Sequence, residues 1–291
     1  MTYRNAGTIL VFAAAAAQIG CSGSSGIHLD QTPIHSDSYS PIQATDAQGQ
    51  PAKQLWWLYR VNGGAPVSVS ENGMAMQMTF EDMVYSLNPV SLTRELELKG
   101  TFTGSAEGQS MSGSYSCKAT ESITLGDTTL VRDQQIEIDM NLSAAGQSGV
   151  VTMKVDQLPE VPWEWFLDRT DLNTLPIGYT ETQNIAQQVT GSIRISAGGQ
   201  SQSQSLNQAA QSTDTWTVTG QQASTDVNGV TYTDIVQIQR NTESLDMSGN
   251  NQPVQYTYDV ARGVGFVRSL GAAQVYNTPL PVELVDTNLS Q

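Results

Sequence analysis

Apolar and polar residues alternate one for one through much of this chain. That period of two marks strands with one face buried and the other in water, as in antiparallel sheet. The cleanest case is Gln134–Leu142, where Ile136, Ile138, Met140 and Leu142 share one face while Glu137, Asp139 and Asn141 take the other. Gly73–Phe80 puts Met74, Met76, Met78 and Phe80 on one side, Arg94–Phe102 does the same with Leu96, Leu98 and Phe102, and Val150–Val155 with Val151, Met153 and Val155. An aromatic-rich run, Leu55–Val61, suits a first strand. Later strands are expected at Gly191–Ser196, Asp214–Val218, Gly229–Gln239, Val254–Val260, Gly263–Leu270 and Pro281–Leu289. Turn signals fall between these runs at Asn72-Gly73, Gly126-Asp127, Gly146 with Gly149, Gly198-Gly199 and Asn228-Gly229, a spacing that predicts successive hairpins.

Two stretches break the rhythm. Residues 22–54 hold Ser, Gly, Pro, Asp and Gln with isolated aliphatics and no sustained period, so they read as a disordered tether. A coil of that length spans on the order of 30 Å. Leu158–Gly178 carries three prolines, and Pro162 suits the first turn of a short helix bearing Trp163, Trp165, Phe166 and Leu167. The expected fold is therefore all-β, with antiparallel sheets in two consecutive curved-sheet or half-barrel-like units. The division is 1–20 signal peptide, 21–54 tether, 55–158 first β unit, 159–176 junction with the short helix, and 177–291 second β unit.

Composition agrees with this picture. Charged residues are only 14% of the 291, and neutral polar residues take their places, as on the wet face of strands. Net charge is −15, and one unit more negative once Arg4 leaves with the signal peptide. The four lysines (Lys53, Lys99, Lys118, Lys154) are scattered. A surface of that sign repels phosphate backbones, so no nucleic-acid partner is expected.

The N-terminus reads as an address. Arg4 precedes an apolar stretch from Ala6 to Ala17, the length of a signal peptide's core and short of a membrane span. Ile19 and Gly20 then lead directly into Cys21, followed by a Ser/Gly run. This layout resembles the lipobox of bacterial lipoproteins, departing from it at Gln18, where an aliphatic residue is usual. The resemblance implies acylation of Cys21, which becomes the mature N-terminus and the attachment to a membrane. Ser22 in place of Asp favours the outer membrane. Cys117, the other cysteine, then has no partner within the chain and reads as a buried strand residue. Without lipidation, a Cys21–Cys117 disulfide is the alternative.

The C-terminal passage points the same way. Tyr256, Tyr258, Ala261, Gly263, Val264, Gly265, Val267 and Arg268, followed by Glu283 and Leu284, are similar to the final part of uncharacterised bacterial envelope lipoproteins. The passage describes a strand, a tight turn and a strand, with Gly263 and Gly265 supplying unusual backbone angles. It carries no reaction with it.

Candidate chemistry is sparse. Both histidines, His28 and His35, lie in the tether, which removes imidazole-based triads and the usual zinc sites from the body. No phosphate loop, GxSxG or EF-hand pattern occurs, and no cofactor is expected. Glu160, Glu164, Asp168 and Asp171 cluster with Trp163 and Trp165, a mixture seen in glycan-processing sites but too close in sequence to flank one bond. Asp168, Asp171 and Asn173 lack a recognised calcium spacing. Met74, Met76 and Met78 suit either sheet core or an adaptable pocket for a lipid-like ligand. The expected function is a non-enzymatic, membrane-anchored envelope lipoprotein that binds a protein partner or apolar ligand, with Trp163, Trp165, Met74, Met76 and Met78 as the candidate surface. A glycan-processing enzyme using carboxylates is the alternative.

Overall fold

The computed structural model describes residues 29–41, 44–71, 74–106, 109–124, 129–142, 147–160, 171–197, 200–245, 251–275 and 278–291. It is all-β. Two short strands, β1 (Ile34–His35) and β2 (Thr45–Asp46), precede β3 (Leu55–Val61), β4 (Val67–Glu71), β5 (Met74–Phe80), β6 (Met83–Asn88), β7 (Thr93–Ala106) and β8 (Gln109–Thr124). Then come β9 (Thr129–Leu142), β10 (Gln147–Glu160), β11 (Thr180–Ala197), the long β12 (Gln200–Val227) and β13 (Val230–Leu245). The chain finishes with β14 (Asn251–Ala261), β15 (Gly265–Val275), β16 (Thr278–Thr287) and β17 (Leu289–Ser290).

Strands β3 to β16 form one sheet of antiparallel pairs, and strands of both sequence halves share it. From β6 the neighbours run β7, β8, β9 and so on in chain order to β16. β3 then lies between β16 and β6, so the sheet curls until its first and last strands meet. It is a curled sheet rather than a regular barrel: β3 meets each neighbour over only five residue pairs, and β4–β5 branches off β7 beyond the stretch that pairs with β6. Hairpin chemistry is visible at Asn228-Gly229, with φ of 50° and 82° between the paired Val227 and Val230, the backbone that a two-residue turn of matching twist requires.

The concave face is the core. Leu55, Trp57, Tyr59 and Val61 of β3 pack there with Met76, Met78 and Phe80 of β5, Leu98 and Phe102 of β7, Val236 and Ile238 of β13, and Val282 and Leu284 of β16. The period-two faces read from sequence for β5 and β7 are thus the buried ones. β9 and β10 fall on the expected runs and pair from Gln147↔Leu142 onward.

The expected tether is corrected. From Asp30 onward the chain lies against the body: Ile34, Tyr39, Ala44 and Ala52 are buried, and β1 pairs in parallel with β17. The isolated aliphatics that looked too sparse to fold are anchors, each finding apolar partners supplied by the rest of the sheet. The short helix at Pro162–Leu167, and Trp163 and Trp165 with it, lies outside the described residues, as does Cys21.

One ionic group sits deep in the core. Arg240 Nε donates to Asp214 Oδ1 at 2.7 Å, and Trp216 Nε1 donates to Asp214 Oδ2 at 2.7 Å. The Asp214 side chain has no solvent exposure, and the Arg240 guanidinium lies 5.2 Å from the Trp216 ring centre and 5.4 Å from that of Tyr256. Both carboxylate oxygens are satisfied, which is what makes a buried charge tolerable.

Removing one partner leaves the other charged and dry. Asp214→Ala is expected to cost ~3–5 kcal/mol by urea denaturation, while Asp214→Leu with Arg240→Met recovers most of that loss. Alkali gives a second check. Burial pushes the hydroxyls of Tyr59 and Tyr258 well above their ordinary value, whereas unfolded tyrosine ionises at pH ~10. Their contribution is intact below that pH, and stability falls as pH rises past it, because only the unfolded chain can release those protons. Absorbance at 295 nm should show these two ionising only with unfolding.

Candidate functional site

The distinctive arrangement lies where the two ends of the described chain meet. Between β14 and β15 the residues Arg262–Val264 make a tight turn, and Ala261 pairs with Gly265 across it. Gly263 and Gly265 have φ of 80° and 89°, the left-handed backbone expected of them. The turn receives the N-terminal strap, residues 30–54. Gly263 N donates to Ser38 O at 2.9 Å, and a side-chain carbon at Gly263 would lie 2.7 Å from Ser36 O. Glycine is therefore needed twice here, for its angle and for the strap's approach.

Aromatic donors tie β3 to the same turn. A register shift at Asp259/Val260 disturbs the β14–β15 ladder. Beside it, Trp57 Nε1 donates to Val264 O at 2.7 Å and Tyr59 Oη to Phe266 O at 2.9 Å. Tyr59 also stacks on Phe266 with ring centres 4.6 Å apart. The polar tips of β3's aromatic run thus end on backbone carbonyls while their rings fill the core.

A second polar group locks the strap. Arg262 Nε lies 2.6 Å from Asp234 Oδ2, and the guanidinium sits 5.4 Å from the ring centre of Tyr39. Asp234 is itself left-handed, at φ 51°, and Asn173 Nδ2 donates to its Oδ1 at 3.3 Å. Burial, then the adjoining Asp234 carboxylate, hold the Tyr39 hydroxyl well above its ordinary range, with Arg262 acting in opposition.

His35 departs from expectation. It is docked rather than tethered, with Nδ1 2.8 Å from Ser290 Oγ. Yet Ile34 O offers that hydroxyl an acceptor at 3.2 Å, and among the described residues no carboxylate orients the far ring nitrogen. The contact is a latch between β1 and β17, without the activation a nucleophilic serine needs.

Beside the latch opens a cleft of about 290 Å³. The tip of the β12–β13 hairpin forms one wall and the C-terminal residues the other, with Val230, Tyr232, Val264, Asp286, Leu289 and Ser290 among its lining. Gln291 is committed to holding the wall: its amide donates to Thr233 O and Arg262 O and accepts from Thr233 N. Asn228 Nδ2 donates to Leu284 O, fastening the hairpin tip.

The residues singled out by sequence are not gathered here. Met76 and Met78 are 3% and 2% exposed and belong to the packed core, while Met74 stands on β5 opposite Glu71 and Ala106. Of the acidic group, Glu164 and Asp168 lie outside the described residues, Glu160 closes β10, and Asp171 precedes a 3-10 turn at Leu172–Thr174. Among the described residues no three His, Cys, Asp or Glu side chains are placed to share a metal ion. On the outer face Arg268 lies between Asp259 and Glu283, at 3.3 and 3.2 Å, so the arginine and glutamate of the C-terminal passage are cross-strand partners. Sequence reasoning missed the cleft because its lining comes from three separate segments, none unusual by itself. No protein-family model, no curated protein and no solved structure matches the chain.

Gly263→Ala tests the strap's seat. The left-handed angle alone costs ~1 kcal/mol, and the carbonyl contact adds to it. The expected result is a lower Tm with faster amide exchange and proteolysis at Ser36–Ser40, while the exchange of β13 amides changes little.

Proposed function

We propose that this chain is a lipoprotein of the bacterial cell envelope, held to a membrane by lipid on Cys21, with the outer membrane favoured. Its β body binds a partner and carries out no chemistry of its own. The observation that carries this reading is the apolar stretch running through Ile19 and Gly20 into Cys21, with the docked strap beginning at Asp30. Cys21 and Asp30 are nine residue steps apart. Fully extended, they reach about 30 Å, so an acylated Cys21 would keep the strap's pole, and the cleft on it, near the bilayer. One acyl chain binds reversibly, and the multiple acylation of lipoproteins gives durable attachment.

The nature of the ligand follows from the core. A lipid carrier of the kind expected from the methionine face needs that face to line a cavity. The burial of Met76 and Met78 among Val67, Phe80, Phe102 and Met111 instead favours recognition of a protein partner at the surface. An acidic protein, at −15 over the whole chain, suits a basic one.

Radiolabelled palmitate supplied to cells making wild type or Cys21→Ala checks the anchor. Label should enter wild type alone, and the wild-type protein should sediment with membranes while the variant is released. Unlabelled, soluble wild-type protein overturns the proposal.

A further inference from the structure

Among the described residues the cleft carries one kind of side-chain charge and no counterion. Of its ten lining residues only Asp286 has an ionic side chain. Its carboxylate is exposed at the surface and accepts one hydrogen bond, from Thr287 N to Oδ1 at 2.9 Å, and no arginine, lysine or histidine pairs with it among the described residues. Contrast Asp82, Asp214, Asp234 and Asp259, each of which holds an arginine. Around Asp286 the walls are mixed: aliphatic at Val230, 45% exposed at the hairpin tip, and at Val264 and Leu289, with Thr231 and Thr287 as neutral polar lining. Tyr232 presents an aromatic ring, and its phenol is pushed upward by burial and secondly by the Asp286 charge, so carboxylate and phenol share one electrostatic environment. The hydroxyl of Ser290 is already taken by the strap.

These features select a ligand by elimination. An anion meets Asp286 and an acidic body. A neutral apolar group leaves the carboxylate poorly solvated at the mouth. A cation gains the carboxylate directly and the Tyr232 ring beside it. The volume lies at the lower edge of small-molecule sites, which admits a chain of a few carbons and little more. We propose that the cleft between the β12–β13 hairpin tip and the C-terminal residues binds a primary ammonium group on a short aliphatic stem. A free alkylamine and a lysine side chain of a partner protein present that same chemistry. The inference deepens the partner-binding reading and rests on the body binding a ligand, not on acylation of Cys21.

The test uses the purified full chain and calorimetric titration with n-pentylammonium, n-pentanol and n-pentanoate, repeated with Asp286→Asn and Tyr232→Phe. Pentylammonium should bind saturably and about tenfold more tightly than pentanol, with no binding of pentanoate. Asp286→Asn should abolish that preference with an unchanged circular dichroism spectrum, and Tyr232→Phe should leave the fold intact and the preference largely in place. Asp286→Asn removes a single charge from an acidic body, so diffuse attraction of cations survives it and specific binding does not. Equal affinities for the amine and the alcohol, or amine binding untouched by Asp286→Asn, overturn the proposal. N-acetyl-lysine methylamide separates the two sources: binding at least as tight as pentylammonium points to a lysine side chain, and weaker binding points to a free amine, the site standing in both cases. A negative titration leaves palmitate labelling unaffected, so the two readings fail separately.

Discussion

Everything in this molecule depends on how β3 is held beside β16. The contact is short, five pairs on each side, and a ladder of that length would be a weak seam in so large a sheet. It is reinforced from within. Trp57 and Tyr59 place their rings in the core and their polar tips on Val264 O and Phe266 O, groups 207 residues away along the chain. Each donor satisfies a buried carbonyl as it contributes apolar area, so the seam gains hydrogen bonding and burial together. Trp56 does the equivalent on the opposite face, donating to Asp30 O beneath the strap.

The arginines explain how an acidic chain folds without scattering its charge inside. Arg60 clasps Asp82, Arg240 holds Asp214, Arg262 holds Asp234, and Arg268 bridges Asp259 and Glu283. Few cations exist, and these are committed to internal pairing. The surface is left to express the net negative charge, and Asp286, like Asp46 and Asp226, has no arginine paired with its carboxylate among the described residues. Exposed pairs such as Arg60–Asp82 add little stability, roughly 0.2–1 kcal/mol. Their effect here is to decide which carboxylates remain available.

The strands were legible because alternation is a local property: Met76, Met78 and Phe80, or Leu96 and Leu98, declare their face within seven residues. The left-handed turn at Gly263 and Gly265 was legible for the same reason. What escaped was everything whose meaning depends on distant residues. Ile34, Tyr39, Ala44 and Ala52 show no period, since they are anchors chosen one by one by pockets of the finished sheet, and Ile34 faces Leu289 from the far end of the chain. The cleft escaped likewise, because Tyr232 and Asp286 become neighbours only after β13 and β16 are in place. Curling of the two expected β units into one sheet was hidden too, for nothing in Leu55–Val61 announces that its partner is Val282–Thr287.

The pairing order carries a kinetic consequence. From β6 to β16 each strand meets its predecessor, and apart from β10–β11, which residues 161–179 join, those hairpins close over two to five residues and need little search. β3 beside β16, and β1 beside β17, join opposite ends of the chain, and they must wait for its last stretch. Until then Trp56, Trp57 and Tyr59 sit on an open strand edge that is both apolar and unpaired, the combination that invites association between chains. The arrival of Thr278–Ser290 is thus the step expected to be slow, and the interval before it the one in which the chain is expected to be most open to aggregation.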